Sequence, residues 1–337
     1  MSSKIISQVV LLILVLFSCS EYTHGKLVMQ GSARFIKRFR TLTSTKKHAY
    51  GQAYHDEILQ FKDSNGTMTS FSATFFFAIV PETKHRGSHG MAFVISPTRG
   101  MTNASADQYL GIFNKDNNGN TSNHYKDDEF GDINDNHVGI NINGMRSIVS
   151  APAGYYDQDG QFRNLSLISG NLLRVTIVYS HKDTQINVTL SSPEEGYYPN
   201  KPLLSLNQDL SPYFLDKMYA GFSASTGSVG AMHYMWIWFI DGCITVPKLD
   251  LGIPKIPPYP KAQSQVGSLY GGTGWDQQLP LASPVPSHYR LTPTRLSPSP
   301  LSQSSNQHHF RLDINFDTFT LKLSRSFPSS YSRGRYV

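Results

Sequence analysis

The sequence predicts an all-β protein: an antiparallel β-sandwich followed by a disordered, Ser/Pro-rich tail. Short segments rich in β-branched and aromatic residues recur from Ala33 to Ile253, separated by turn signals at Asp63–Gly66, Asn117–Gly119 and Asp157–Gly160. No useful length of chain shows helical periodicity. Past Ile253–Pro260 (IPKIPPYP) the composition turns to serine, proline and polar residues.

Taken in order, 1–25 reads as a secretory signal peptide. Lys4 precedes the apolar run Val9–Phe17, and small residues follow at Ser18–Ser20 and Thr23–Gly25. The sandwich occupies 26–252. Its clearest strands are Ser70–Pro81, Gly90–Pro97, Val138–Ile142, Leu172–Tyr179, Gln185–Leu190 and Met218–Ser225. Residues 253–261 form a proline-rich linker, because repeated proline cannot continue a central strand. The remainder, 262–337, is expected to be disordered. Within it Phe310–Phe316 alternates apolar with polar as one strand would, but no partner for it is visible.

The 337 residues are 39% hydrophobic and 16% charged, enough to bury a core. The net charge is +6 and the pI about 9.1, yet the basic residues are scattered, so neither a nucleic-acid stripe nor a known module is present. No segment after the leader is apolar for long enough to span a bilayer. Cleavage removes Cys19 and leaves Cys243 alone, so no intrachain disulfide forms. Sequons at Asn65, Asn103, Asn120, Asn164 and Asn187 agree with a secreted, extracellular glycoprotein.

The chemistry concentrates in Asp127–Gly139, DDEFGDINDNHVG. Crowded carboxylates and carboxamides suit a hard cation such as calcium, and an imidazole suits a transition metal, so Asp127, Asp132, Asn134 and His137 are candidates for a mixed pair. An EF-hand is excluded, because His137 stands where that loop needs glycine and Asn143 where it needs glutamate. A solvated acidic turn is the competing interpretation.

Several stretches carry a family resemblance. KKHAYGQAY (Lys46–Tyr54), SFSATFFFAIVPE (Ser70–Glu82), HGMAFVISPTRG (His89–Gly100), QYLGIFN (Gln108–Asn114), DINDNHVGININ (Asp132–Asn143), SAPAGYY (Ser150–Tyr156) and GFSASTG (Gly221–Gly227) occur in family order. Together they resemble the legume lectin domain, most closely the extracellular domain of plant L-type lectin receptor kinases. The resemblance implies a jelly-roll β-sandwich whose loops hold calcium and manganese beside a shallow sugar site. It places Asp132 on the aspartate bridging both metals and His137 on the transition-metal histidine. Tyr125 falls on a calcium-binding carbonyl, and Asp127 on a residue binding calcium and sugar together. The sugar-site positions are His89, Gly90, Gln108 and Asp127, with glycans or glycoconjugates as partners and a homodimer left open.

The departures are specific. Family members carry a strand reading approximately Val-Glu-Phe-Asp-Thr, whose two acids are metal ligands, before the loop that ends at His137. Here SNH at 122–124 runs directly into YKDDEF, as though that buried strand were absent. A gene-model or splicing error and a decayed copy both fit. His89 replaces the sugar-binding aspartate of soluble legume lectins, and Asn141 replaces a frequent aspartate.

Other signals resolve less sharply. The run His233–Phe239 (HYMWIWF) fits a core strand better than a sugar-stacking platform, whereas Tyr155 and Tyr156 offer either an aromatic contact or turn packing. Asp127 and Glu129 alternate like glycosidase acids, but they lie in the loop assigned to metal. Kinase motifs are absent from this sequence. The expectation is therefore a non-catalytic, secreted carbohydrate-binding protein. The alternative is a non-binding or protein-binding receptor remnant, a decoy in cell-surface or defence signalling.

Overall fold

The computed structural model describes residues 27–84, 86–101, 103–118, 130–196, 198–241, 253–260 and 318–324. The leader and both cysteines lie outside them. In chain order the strands are β1 (Leu27–Gly31), β2 (Arg34–Ile36), β3 (Phe39–Thr41), β4 (Tyr50–His55), β5 (Leu59–Gln60), β6 (Phe71–Pro81), β7 (Gly90–Ser96), β8 (His137–Ile142) and β9 (Val149–Pro152). They continue with β10 (Gly154–Tyr156), β11 (Phe162–Asn164), β12 (Leu173–Ser180), β13 (Gln185–Ser191), β14 (Leu204–Asn207), β15 (Lys217–Ser225), β16 (Ala231–Asp241) and β17 (Phe319–Ser324).

Two large antiparallel sheets form the sandwich. One has the order β1-β4-β15-β7-β17-β8-β9 with β5 on β15, and the other β14-β13-β12-β6-β16-β3-β2. Their inner faces meet through aromatic rings. Phe75 of β6 lies 5.9 Å from Phe93 of β7 and 5.1 Å from Phe222 of β15, and Phe222 lies 5.5 Å from Trp238 of β16. Edge-to-face and offset pairs of this kind contribute about 1 kcal/mol each beyond the area they bury.

Each strand named from the sequence is present with ends shifted by a residue or two. HYMWIWF is the buried strand β16, as its alternation suggested. A bulge between Met235 and Trp238 resets the alternation there, so Met235 and Trp238 face the central core while Trp236 and Ile237 both join an outer cluster with Phe39, Phe76 and Tyr234. Ile256 and Tyr259 of the proline-rich segment pack on that outer cluster. The segment is extended, but part of it is fixed to the sheet rather than free as a spacer.

β17 belongs to the stretch assigned to the tail. It runs antiparallel between β7 and β8, pairing Leu321 with Phe93 and Ile140, and Leu323 with Met91 and Val138. Both leucines are fully buried in the central core. The alternation Thr320-Leu321-Lys322-Leu323 explains the fit, since it turns two leucines inward and two polar residues outward. Phe310–Phe316 and the rest of 262–317 lie outside the described residues.

The buried His233 on β16 yields a pH test. Its Nδ1 lies 2.8 Å from Thr43 Oγ1, and the Thr43 hydroxyl also donates to the Ala231 carbonyl at 2.7 Å. This arrangement assigns the proton to Nδ1 and leaves Nε2 a buried acceptor without a hydrogen bond. Burial, reinforced by nearby His89, pushes the imidazole pKa down to about 3. Below the ordinary value of 6.5 the unfolded chain takes up a proton that the folded chain refuses until about pH 3, so stability falls with pH across that window. Urea unfolding at pH 7 and pH 4.5 should show the native protein losing about 2 kcal/mol more than His233→Gln does. Equal losses would refute the assignment.

Candidate functional site

The site is built from the outward face of the first sheet. Along β15, Phe222 and Ala224 point into the core, while Ser223 and Ser225 point out and hold a loop. The Ser223 hydroxyl donates to the Leu110 carbonyl at 2.6 Å, and that of Ser225 to the Asp107 carbonyl at 2.5 Å. Gln52 of β4 reaches the same loop, donating to the Gly111 carbonyl and accepting from the Met101 N–H at 3.2 Å. So held, Asp107 and Leu110 adopt left-handed φ values of 57° and 53°. Non-glycine residues persist there only where their surroundings fix them, as often happens at functional loops.

Asp107 is thereby aimed at two imidazoles. His48 Nδ1 lies 2.8 Å from Asp107 Oδ1 and His89 Nε2 lies 3.6 Å from the same oxygen. Gly227 closes the cluster, and a Cβ there would stand 2.5 Å from His89 Nε2. Its carbonyl accepts from the His48 N–H at 3.1 Å. The Asp107 side chain is 34% exposed and that of His89 21%, so the group sits at the mouth of the loops. Burial lowers the His89 pKa; Asp107 opposes this, whereas His48 and Lys322 add to it. At neutral pH His89 is then an uncharged imidazole able to donate or accept. Tyr109 meets Phe130 edge-to-face at 5.6 Å close by.

A second cluster lies alongside. Asp132 Oδ1 accepts from Lys322 Nζ and lies 3.2 Å from His137 Nε2, a buried nitrogen without a hydrogen bond among the described residues. His137 Nδ1 contacts the Asn134 carbonyl at 2.8 Å, which closes the loop back onto β8. Burial works against the Asp132 carboxylate, but contacts with His137 and the charge and hydrogen bond of Lys322 outweigh it, bringing its pKa to about 2. Lys322 is only 2% exposed; burial lowers its pKa and Asp132 draws it back up.

Comparison with known proteins gives the family. The legume lectin domain matches residues 15–248. The chain belongs to that family. L-type lectin-domain containing receptor kinase V.4 of Arabidopsis thaliana is 73% identical over 275 residues, covering 79% of this chain and 42% of the relative. The probable receptor kinase V.3 of the same plant is 66% identical over 275 residues, covering 79% and 41%. The chain thus spans well under half the length of either relative. Among solved structures, the metal-free form of lectin I-B4 from Griffonia simplicifolia superposes with a TM-score of 0.52 at 23% identity, over 64% of this chain and 92% of that one. Basic winged bean lectin with Tn-antigen gives 0.52 at 22% identity, over 65% and 94%. These two share the fold.

For a legume lectin domain, the calcium and manganese ligands implied by resemblance are Tyr125, Asp127, Asp132 and His137. Tyr125 and Asp127 lie outside the described residues. Asp132 and His137 do come together, but among the described residues the group that joins them is the Lys322 ammonium rather than a carboxylate. A divalent ion on Asp132 Oδ1 would sit within about 5 Å of Lys322 Nζ, where charges of two and one repel by roughly 7 kcal/mol at an effective dielectric near 20. Among the described residues no three His, Cys, Asp or Glu side chains converge as metal ligands. The residues present at Asp132 and His137 do not fit a divalent ion.

The other predicted positions separate. His89 is in the cluster, and Gly90 opens β7, paired with Ser225 and Ser324. Gln108 is exposed next to Asp107, and it is Asp107 that faces His89. Neither Asp107 nor His48 was singled out from the sequence; the signal available was their place within or beside the matching stretches. Asn141 does not reach the site, since its amide is held between Gly144 and Ser147. Tyr155 is buried on β10, while Tyr156 packs on Phe162 and carries Lys201 Nζ 3.7 Å above its ring. Asn65, Asn103 and Asn164 are exposed, Asn187 is half-buried on β13, and Asn120, like Glu129, lies outside the described residues. No described helix is long and apolar enough to cross a membrane.

Proposed function

We propose that this domain is a non-catalytic carbohydrate-binding module, acting outside the cell on glycans or glycoconjugates through the loops that carry His48, His89, Asp107 and Gly227. One observation carries the reading: a carboxylate at a partly exposed loop mouth, bonded to the His48 imidazole at 2.8 Å with that of His89 at 3.6 Å. The resemblance puts His89 where soluble legume lectins have an aspartate, and here Asp107 Oδ1 stands 3.6 Å from His89 Nε2 on the neighbouring loop. The carboxylate accepts from sugar hydroxyls, the neutral imidazole donates or accepts, and the Tyr109–Phe130 pair offers an apolar edge to a ring. A shallow site of this kind depends on preorganised polar groups, and the serine and glutamine contacts beneath the loop supply that order. The receptor-kinase relatives favour an extracellular setting.

Glycan-array retention of the folded protein is the test. Asp107→Asn should weaken the best-retained glycan about tenfold, the loss of one charged hydrogen bond, with the circular dichroism spectrum unchanged. Retention of no glycan by a well-folded chain would overturn the reading in favour of a protein-binding or non-binding remnant. Lys322 beside Asp132 is the observation favouring that second reading.

A further inference from the structure

We propose that Lys322 is a built-in counter-ion. Its ammonium group, carried on the C-terminal strand β17, fixes Asp132 and the loop leading to His137 without a divalent metal.

The argument begins with the sheet register. Lys322 pairs with Ala92 on β7 and Gly139 on β8, two of the smallest residues, and its stem fits on the outward face between them. Gly139 is closely packed from the other side, where a Cβ would stand 2.2 Å from Ser147 Oγ and 2.9 Å from Ser147 Cβ. The stem is thus enclosed by strands, and its Nζ, 5.8 Å from the Phe130 ring centroid, emerges at Asp132. A lysine buried to 2% is retained only with a charged partner. Asp132 supplies one, and Lys322 in turn meets the need of a carboxylate that is itself only 15% exposed. His137, fully buried, stands beside the pair with its Nε2 3.2 Å from Asp132 Oδ1. The loop from Phe130 to Asn136 is anchored by this group at one end. At the other, the Asn136 side chain donates to the Leu165 carbonyl at 2.7 Å and accepts from the Leu167 N–H at 3.0 Å. Both attachments are made by the protein's own atoms. An ion bound at Asp132 Oδ1 would share that oxygen with the Lys322 ammonium.

The test uses the full chain and thermal unfolding. The unaltered protein should melt at the same temperature in EDTA, calcium or manganese, since an ion that bound the native state would raise it by mass action. Lys322→Met, which keeps the stem and strands Asp132 as an unpaired buried charge, should lower the melting temperature by about 10 °C. Adding Asp132→Asn to that variant should recover at least half of the loss. The proposal is overturned if calcium or manganese raises the melting temperature of the unaltered chain by an amount that Asp132→Asn removes. It is also overturned if Lys322→Met melts with the unaltered protein. The metal titration decides the matter even if Lys322→Met does not fold.

Discussion

A chain shortened to end at Asp317 should show no cooperative unfolding transition. β17 is an interior strand, so its loss leaves the facing edges of β7 and β8 without the partner that each now has. Those edges cannot simply close on each other, because strands pair at about 4.8 Å and a whole strand width would have to be crossed. The core opens as well. Leu321 and Leu323 are fully buried against Phe93, Ile140, Met91 and Val138, and truncating one such leucine to alanine costs about 2–5 kcal/mol. Two of them, with two ladders of hydrogen bonds, match the 5–15 kcal/mol that typically holds a whole domain. Far-ultraviolet circular dichroism against urea should give a sloping line for the shortened chain and a sigmoid for the full one. Leu321→Asp, which places a charge in the same core without altering length, should behave like the truncation. A sigmoid at an unchanged midpoint in either variant would show that β17 is dispensable.

The same strand marks the limit of what could be read from sequence. The sandwich was legible because its strands carry their own signals: SFSATFFFAIVP and LLRVTIVY are β-rich over enough residues to need no context. FTLKLS alternates just as cleanly, but its partners Phe93 and Ile140 lie more than 180 residues earlier, and no local signal names them. The neighbouring alternation at Phe310–Phe316 drew attention instead. The candidate site divides in the same way. His89, Asp132 and His137 were found through the stretches they occupy. Asp107 was passed over for Gln108, because which of two adjacent residues faces His89 depends on backbone angles fixed by Ser225 from 118 residues away. The missing acidic strand read as a loss of ligands and of core. In the structure β17 stands between β7 and β8 and delivers a lysine to Asp132, so the charge near that carboxylate is positive by a route that sequence order conceals.

Gly51→Ala is expected to be the most damaging single-methyl change among the described glycines. Gly51 lies within β4, between Gly31 of β1 and Ala224 of β15, and alanine would ordinarily improve a strand interior. Here the chain from Ala33 to Leu42 passes directly over it. A Cβ would stand 1.8 Å from the Leu42 carbonyl oxygen and 2.7 Å from the Ala33 N, and neither is a side-chain end that can swing aside. Leu42 is itself pinned, since its N–H donates to the His233 carbonyl at 2.9 Å and its side chain is fully buried in the core. Relief therefore requires moving either β4 or the segment after β3. Moving β4 shifts Gln52, and with it the contacts to Gly111 and Met101 that hold the Asp107 loop. The expected loss exceeds about 4 kcal/mol, above the roughly 1–3 kcal/mol usual for overpacking, because the clash is with backbone that is itself pinned. Any folded fraction should also have lost the ordered Asp107–His89 approach. Urea unfolding measures the first effect, and glycan retention of the remaining folded protein measures the second. A variant within about 1 kcal/mol of the native protein would mean that the 33–42 segment yields, and that the close crossing at Gly51 is not what sets the position of β4.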